Sequence, residues 1–280
     1  MLANKPGLRA ALLSALLLLL MVAVWYAATL PKPEPARIND EYAQLMGKTA
    51  ERPASGFPTP AAFAKLAGHL LAHPFADNGP NDKGIGYQLL ASLLRVGAGY
   101  GLALLVALPL GFLIGMSRLW YDALNPFIQI LKPISPLAWM PIALYTIKDA
   151  GLSGIFVIFI CSIWPMLINT AFAVASVRRE WLNVARTLEV SLARRVAWVI
   201  LPAALPTIVT GMRISMGVAW LVIVAAEMLV GGTGIGYFVW NEWNNLSLPS
   251  VLFAILLIGI TGMLLDAGFA WLQRRVAYVD

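Results

Sequence analysis

Four ionisable side chains, Arg95, Arg213, Glu227 and Asp266, fall inside stretches that are otherwise apolar. In such surroundings an ionisable group is a functional candidate by default. Arginine there can draw in an anion, or it can snorkel its head to a lipid headgroup. A carboxylate there can close an ion pair or accept hydrogen bonds from a broken helix. Both readings stay open for Arg95 and Arg213, and pairing is the favoured one for Glu227.

Other residue patterns that suggest chemistry are weaker. His69 and His73 stand four residues apart and could share a metal, but no third ligand lies near them in the sequence. A wet helix face is the simpler reading. Met46-Gly47-Lys48-Thr49 has the tail of a phosphate-binding loop, yet Tyr42 occupies the position where glycine is needed. Gly231-Gly232-Thr233-Gly234-Ile235-Gly236 lacks dinucleotide-loop spacing and follows an apolar run, not a strand. It reads as a flexible outer turn or gate. With no catalytic constellation, the chain is read as a non-enzyme that cannot hydrolyse ATP by itself.

The elements that must position these residues are set by lipid. Of 280 residues, 60% are hydrophobic and only 12% charged, about half the charge of a soluble domain. Lipid requires every backbone polar group to be paired internally, leaving helices or a closed barrel. Barrel strands alternate apolar and polar residues. Here the apolar runs are continuous and long enough for helices. The expected fold is all-α: a polytopic membrane bundle of about six transmembrane helices. The net charge of +6 needs no nucleic acid to explain it, and the single Cys161 permits no internal disulfide.

The first span is read from Leu8 to Leu30, making residues 1–30 an N-terminal transmembrane helix. A cleaved signal peptide is the weaker option, because no small-x-small site follows. Residues 31–84 are polar and proline-rich and are read as a periplasmic segment. Within it, Thr59-Pro60 opens a short amphipathic helix with Phe63, Leu66 and Leu70 on one face and Lys65, His69 and His73 on the other. Residues 85–280 form the core. Its second span, Gln88 to Met116, carries Gly97-x3-Gly101 and Gly111-x3-Gly115, pairs that let helices approach closely. The third, Leu124 to Ile147, contains Pro126, Pro133, Pro136 and Pro141 and must be broken or kinked. Spans over 152–174, 205–230 and 251–272 follow.

Lys5, Arg9, Arg118, Arg178, Arg179, Arg186, Arg194, Arg195, Arg274 and Arg275 gather on the side that holds both termini, whereas the opposite short loops hold little beyond Lys148. By the positive-inside rule that side is cytosolic, and so is the loop 177–202.

This loop is the most specific part of the sequence. Val184, Leu188, Leu192 and Val196 recur at helical spacing, while Arg186, Arg194 and Arg195 are placed to stay wet. The unit then turns into Leu201-Pro202. It resembles the cytosolic coupling loop of ABC importer permeases, with the pattern E-A-A, three residues, G, nine residues, I-x-L-P. Here the positions read Asn183, Val184, Ala185, then Glu189, then Val199-Ile200-Leu201-Pro202. Asn183 replaces the acid and Glu189 the glycine, and a glutamate tolerates positive φ poorly. Ser135-Pro136-Leu137-Ala138-Trp139, Cys161-Ser162-Ile163-Trp164-Pro165-Met166, the 77–84 stretch, the 219–229 stretch around Glu227, and Trp240-Asn241-Glu242-Trp243 resemble the nitrate branch, related to sulfonate, taurine and cyanate permeases.

The resemblance, spanning about residues 75–275, implies a MetI-like type I permease in a bacterial inner membrane. It implies cytosolic ABC ATPase subunits, a periplasmic or lipid-anchored substrate-binding protein and a second permease subunit as a homodimer. ATP and Mg would be held by the ATPase, with no cofactor in this chain. Asn183, Val184, Ala185, Arg186, Glu189, Leu201 and Pro202 match the coupling segment. Arg95, Pro136, Trp139, Arg213 and Glu227 are the candidate pathway or gate residues. The expected cargo is a small inorganic anion: nitrate first, then nitrite or cyanate, with a sulfonate or taurine as the alternative. For such a cargo a bare Glu227 carboxylate would be repulsive, which favours its pairing. Two rivals remain. An ion-coupled secondary transporter would show broken helices in both halves, and a membrane-embedded enzyme would need a polar cluster inside the bundle.

Overall fold

The structure, a computed structural model, describes residues 6–30, 57–77, 79 and 83–276. Lys5, Tyr42 and the Met46-Gly47-Lys48-Thr49 sequence lie outside the described residues, as do Asn78, Pro80, Asn81 and Asp82. The chain separates into two compact units: Met1–His73 with Glu242–Phe253, and Pro74–Asn241 with Ala254–Asp280.

In the first unit, α1 (Pro6–Ala28) is an apolar helix with no preferred face. Helix α2 (Pro60–Ala72) begins as the sequence implies. Thr59 accepts a hydrogen bond from the Ala62 N–H at 3.3 Å, and Pro60 takes the first turn, where a missing N–H costs nothing. Trp25 joins the two helices: its indole N–H donates to the Pro58 carbonyl at 2.9 Å, and its ring meets Phe57 and Phe63 edge-on. The rings of His69 and His73 also meet edge-to-face.

The second unit is built on α3 (Ile85–Met116), α6 (Ala150–Ala175), α9 (Leu201–Val230) and the 254–276 part of α11 (Leu248–Val276). Helix α6 is central and packs most extensively on α3 and α9. Against α3 it is met by glycines. A Cβ on Gly99 would lie 2.7 Å from the Ile155 carbonyl, one on Gly111 2.6 Å from Thr170, and one on Gly115 2.6 Å from the Ala171 carbonyl. The numbers rise together, so α3 and α6 run parallel. Without a hydrophobic drive between helices in lipid, such close approach supplies the packing. Of the two expected glycine pairs, Gly111 and Gly115 are used this way, but Gly97 and Gly101 face open space. Gly99, between them, makes the contact. Helix α9 runs antiparallel to α6, with Gly211 against Asn169 and the Ser215 hydroxyl donating to the Ser162 carbonyl at 2.5 Å.

The proline-rich third span is broken. Helices α4 (Arg118–Leu131) and α5 (Pro136–Ile147) meet at 92° across Lys132–Ser135. Pro133 cannot donate to the preceding turn, and Pro136 sits at the first position of α5, where that loss is harmless. Among the described residues, five helices are long and apolar enough to cross a membrane, or six when the bent pair counts as one span. The remaining elements are α7 (Arg179–Thr187), α8 (Leu192–Arg195), a π-helical turn at Val196–Ile200, and α10 (Ile235–Asn244).

Candidate functional site

The loop between α6 and α9 does not form one continuous helix over 183–198. Helix α7 stops at Thr187 and the chain turns before α8. The stop is a Schellman motif: the Val190 N–H donates to the Ala185 carbonyl and the Glu189 N–H to the Arg186 carbonyl, both at 3.0 Å. Glu189 takes φ of +51°, the conformation that glycine adopts freely. The turn expected from the glycine position is therefore kept, with a glutamate in it. Helical spacing across 184–196 hid this break, because it continues in register through the turn.

The break decides which side chains are free. Ala185 is 5% exposed. Val184, Leu188 and Leu192 are exposed, together with Trp181 and Trp198, although their spacing suggested a buried face. Beneath them, Val177, Ile200, Ala204 and Ile208 form a buried apolar cluster with Ala173 and Val174, and Leu182 and Val196 pack onto it. The segment is thus anchored to the ends of α6 and α9 and presents an apolar and arginine-bearing surface outward. Leu201 and Pro202 open α9, with Pro202 in its first turn.

A second group lies at the far end of α9. The Glu227 carboxylate is buried and accepts from Arg95 Nη1 at 2.6 Å, from the Ser92 hydroxyl at 2.7 Å and from the Gly236 N–H at 3.1 Å. Ser92 in turn accepts the Ile235 N–H, Gln88 accepts the Gly234 N–H, and Arg95 donates to the Thr233 carbonyl. Helix α3, the end of α9 and the 231–236 loop are thereby tied by one polar network. Gly231, Gly232 and Gly234 have positive φ, and a Cβ on Gly234 would land on the Glu227 carboxylate. Read from sequence as a flexible turn, this loop is bolted down at its C-terminal half. Arg95 and Glu227 also border a cavity with Met140, Gly154, Ile223 and Gly231.

The third group is nearer the other end of α9. Arg213 Nε and Nη2 donate to the two carboxylate oxygens of Asp266 at 2.5 and 2.6 Å, a bidentate pair between α9 and α11. Farther along, Gln273 donates to the Thr210 hydroxyl, and Trp220 donates to the Ile258 carbonyl.

The structure therefore brings Arg95 and Glu227 together and places Arg213 in a separate pair. Pro136 caps the bend, and Trp139 packs edge-on against Phe156 one residue before the cavity-lining Met140. Gln88 and Ser92 were missed in the sequence. Their signal was a polar stripe: Gln88, Ser92 and Arg95 stand on one helix face in a run that is otherwise apolar.

A helical bundle with a broken span, and with a loop anchored between two long helices, defines a multi-pass membrane protein. The family described as "Binding-protein-dependent transport system inner membrane component" matches residues 107–278, and the chain belongs to it. Among its relatives, the nitrate import permease protein NrtB of Synechocystis sp. is 46% identical over 79% of this chain and 81% of its own length. NrtB of Leptolyngbya laminosa is 39% identical over 89% and 97%. The bicarbonate transport system permease protein CmpB of Synechococcus elongatus is 44% identical over 74% and 75%. The fold matches a solved chain of the MetNI methionine ABC transporter with a TM-score of 0.61 at 17% identity, covering 68% of this chain and 95% of that one.

Proposed function

We propose that the chain is the membrane-spanning permease of an ATP-driven importer for a small inorganic anion, with nitrate as the first cargo. The observation that carries this is the high identity to two nitrate permeases over most of both chains. Bicarbonate is the second reading, because a bicarbonate permease is nearly as similar. Both are small planar oxyanions with one negative charge, so one pathway chemistry serves either.

The energetics favour a driven device. Moving a monovalent anion into a negative-inside cell costs about 2.3 kcal/mol per 100 mV, and each tenfold accumulation adds about 1.4 kcal/mol. A passive channel would leak the anion outward. This chain carries no recognisable nucleotide-hydrolysing motif, so the work comes from a separate cytosolic ATPase that binds ATP and Mg. The exposed apolar side chains Val184, Leu188 and Leu192, held on a rigid anchor, suit a groove on that ATPase. The assembly further contains an outer binding component and two copies of this permease. Both termini and the 177–202 loop lie on the cytosolic side, as the arginine distribution supports.

Reconstitution tests the reading. Vesicles holding this chain, its ATPase and its binding component should accumulate nitrate only when ATP is present. Robust accumulation by this chain alone would overturn the proposal, and preferential uptake of bicarbonate would shift it to the second cargo.

A further inference from the structure

The Arg213–Asp266 pair sits at an unusual depth for its exposure. Arg213 lies about 26 Å along α9 from its Val230 end, and Asp266 about 27 Å along α11 from its Leu248 end, at 1.5 Å per residue. With the Val230 and Leu248 ends set at the outer boundary of a hydrocarbon core about 30 Å thick, both groups fall in its inner part. Yet the Arg213 side chain is 37% exposed and that of Asp266 53%. Charged groups at such depth face a bundle interior or a water-filled space rather than lipid tails.

The pairing geometry leaves part of the guanidinium unused. Asp266 engages Nε and Nη2, which is the side edge of the fork. Nη1 makes no hydrogen bond among the described residues, so the end edge, Nη1 with the second Nη2 hydrogen, points elsewhere. Arg213 also lines an open cavity together with Ala270, Gln273 and Arg274. Gln273 spends one amide hydrogen on Thr210 and keeps the other. Arg274 is exposed in the last turn of α11 and forms no ion pair among the described residues. Two arginines against one aspartate leave the cavity with a net positive charge. Planar forks of this kind match the two oxygens of an oxyanion.

We propose that Arg213, Gln273 and Arg274 form an oxyanion-binding site on the inner part of the α9–α11 face, which holds the permeating anion before its release to the cytosol. Asp266 aligns the guanidinium and tempers its charge, so that the anion is held weakly enough to leave. The pathway role rests on the reading of the chain as an anion permease. A phospholipid phosphate offers the same oxygens, and the experiment separates the two sources.

The test uses the complete importer in nanodiscs of zwitterionic phosphatidylcholine. The variant R213Q/D266N keeps a hydrogen-bonded pair of similar volume and removes both charges. Nitrate should raise the Tm of the wild-type permease–ATPase complex without its binding component, and the variant should lose that shift. Its maximal uptake rate in the complete importer should fall about tenfold, the worth of a charge-assisted bidentate contact, with half-saturating nitrate unchanged. R213K, which keeps the charge and removes the fork, should lose most of the Tm shift and serves if the double variant fails to assemble. An undiminished nitrate shift in these variants overturns the site. A shift given by phosphatidylglycerol but not by nitrate overturns the assignment to the permeating anion. Failure of the wild-type importer to take up nitrate would refute the proposed cargo, while the Tm response to nitrate still judges the site.

Discussion

Nη1 of Arg95 lies 2.6 Å from Oε1 of Glu227, and the same nitrogen reaches the Thr233 carbonyl at 2.5 Å. One guanidinium therefore joins the second span, the fifth span and the glycine loop that follows it. Removing Glu227 leaves the half-buried Arg95 cation and the Gly236 N–H without the carboxylate they share. We expect E227A to destabilise the second unit by about 3–5 kcal/mol, the usual cost of breaking a buried pair from one side. Replacing Arg95 and Glu227 together with Met and Leu should cost far less. Thermal unfolding of the purified complex in detergent checks both, and equal losses would dismiss the network as the anchor.

The same network fixes the loop. Gly234 has φ of +156° and no room for a Cβ beside the Glu227 carboxylate. G234A should therefore cost about 1–3 kcal/mol from backbone strain alone, with displacement of the carboxylate in addition. Gly232 also has positive φ but has nothing within 4 Å of its Cβ position. G232A should feel only the strain. The difference between the two in Tm measures what the carboxylate contact contributes.

Glu189 pays a conformational cost that its sequence position announced. A left-handed residue costs about 1–2 kcal/mol when it bears a side chain, offset in part by the greater chain freedom of glycine when unfolded. E189G should stabilise the α7–α8 turn by up to about 1 kcal/mol, and E189V should weaken it. Hydrogen exchange at the Val190 amide, which closes the turn onto Ala185, reports this directly. Faster exchange in E189G than in the wild type would contradict the account.

The exposed surface of that segment predicts a separation of folding from coupling. Leu188 is 70% exposed, so L188E should leave the permease at normal levels in the membrane while weakening its hold on the ATPase. Ala185 is buried, so a bulky replacement there should displace the Schellman turn and uncouple ATP hydrolysis from uptake. Co-purification and uptake assays distinguish the two. Normal coupled uptake in both variants would remove this loop from the mechanism.

Much of this was legible in the sequence because lipid imposes simple rules. Continuous apolar runs set the spans, the four prolines of the third span announced a break without placing it at Lys132–Ser135, and Thr59-Pro60 set the start of α2. Pairing of Glu227 followed from the cost of a bare carboxylate. Its partners did not follow, because Ser92 and Arg95 lie more than 130 positions away in sequence. Helical periodicity misled at 184–196, since a break of one turn preserves the spacing while redirecting the side chains.

Glycine packing offers the sharpest contrast between pattern and structure. Gly97 and Gly101 carry the familiar spacing but have nothing within 4 Å of a Cβ, whereas Gly99 and Gly111 would press one against Ile158 and Thr170. Overpacking of a tight helix contact typically costs about 1–3 kcal/mol. Because α3 and α6 meet through backbone as well as side chains, G99A and G111A should each reach at least that range. The Ile155 carbonyl, unlike a flexible side chain, cannot swing aside. G97A and G101A should change the Tm by little, and any gain in helix propensity would be favourable. Were G97A and G101A instead as damaging as G99A, those two glycines would have to meet a surface supplied by another chain, and the effect would then depend on permease concentration in the bilayer.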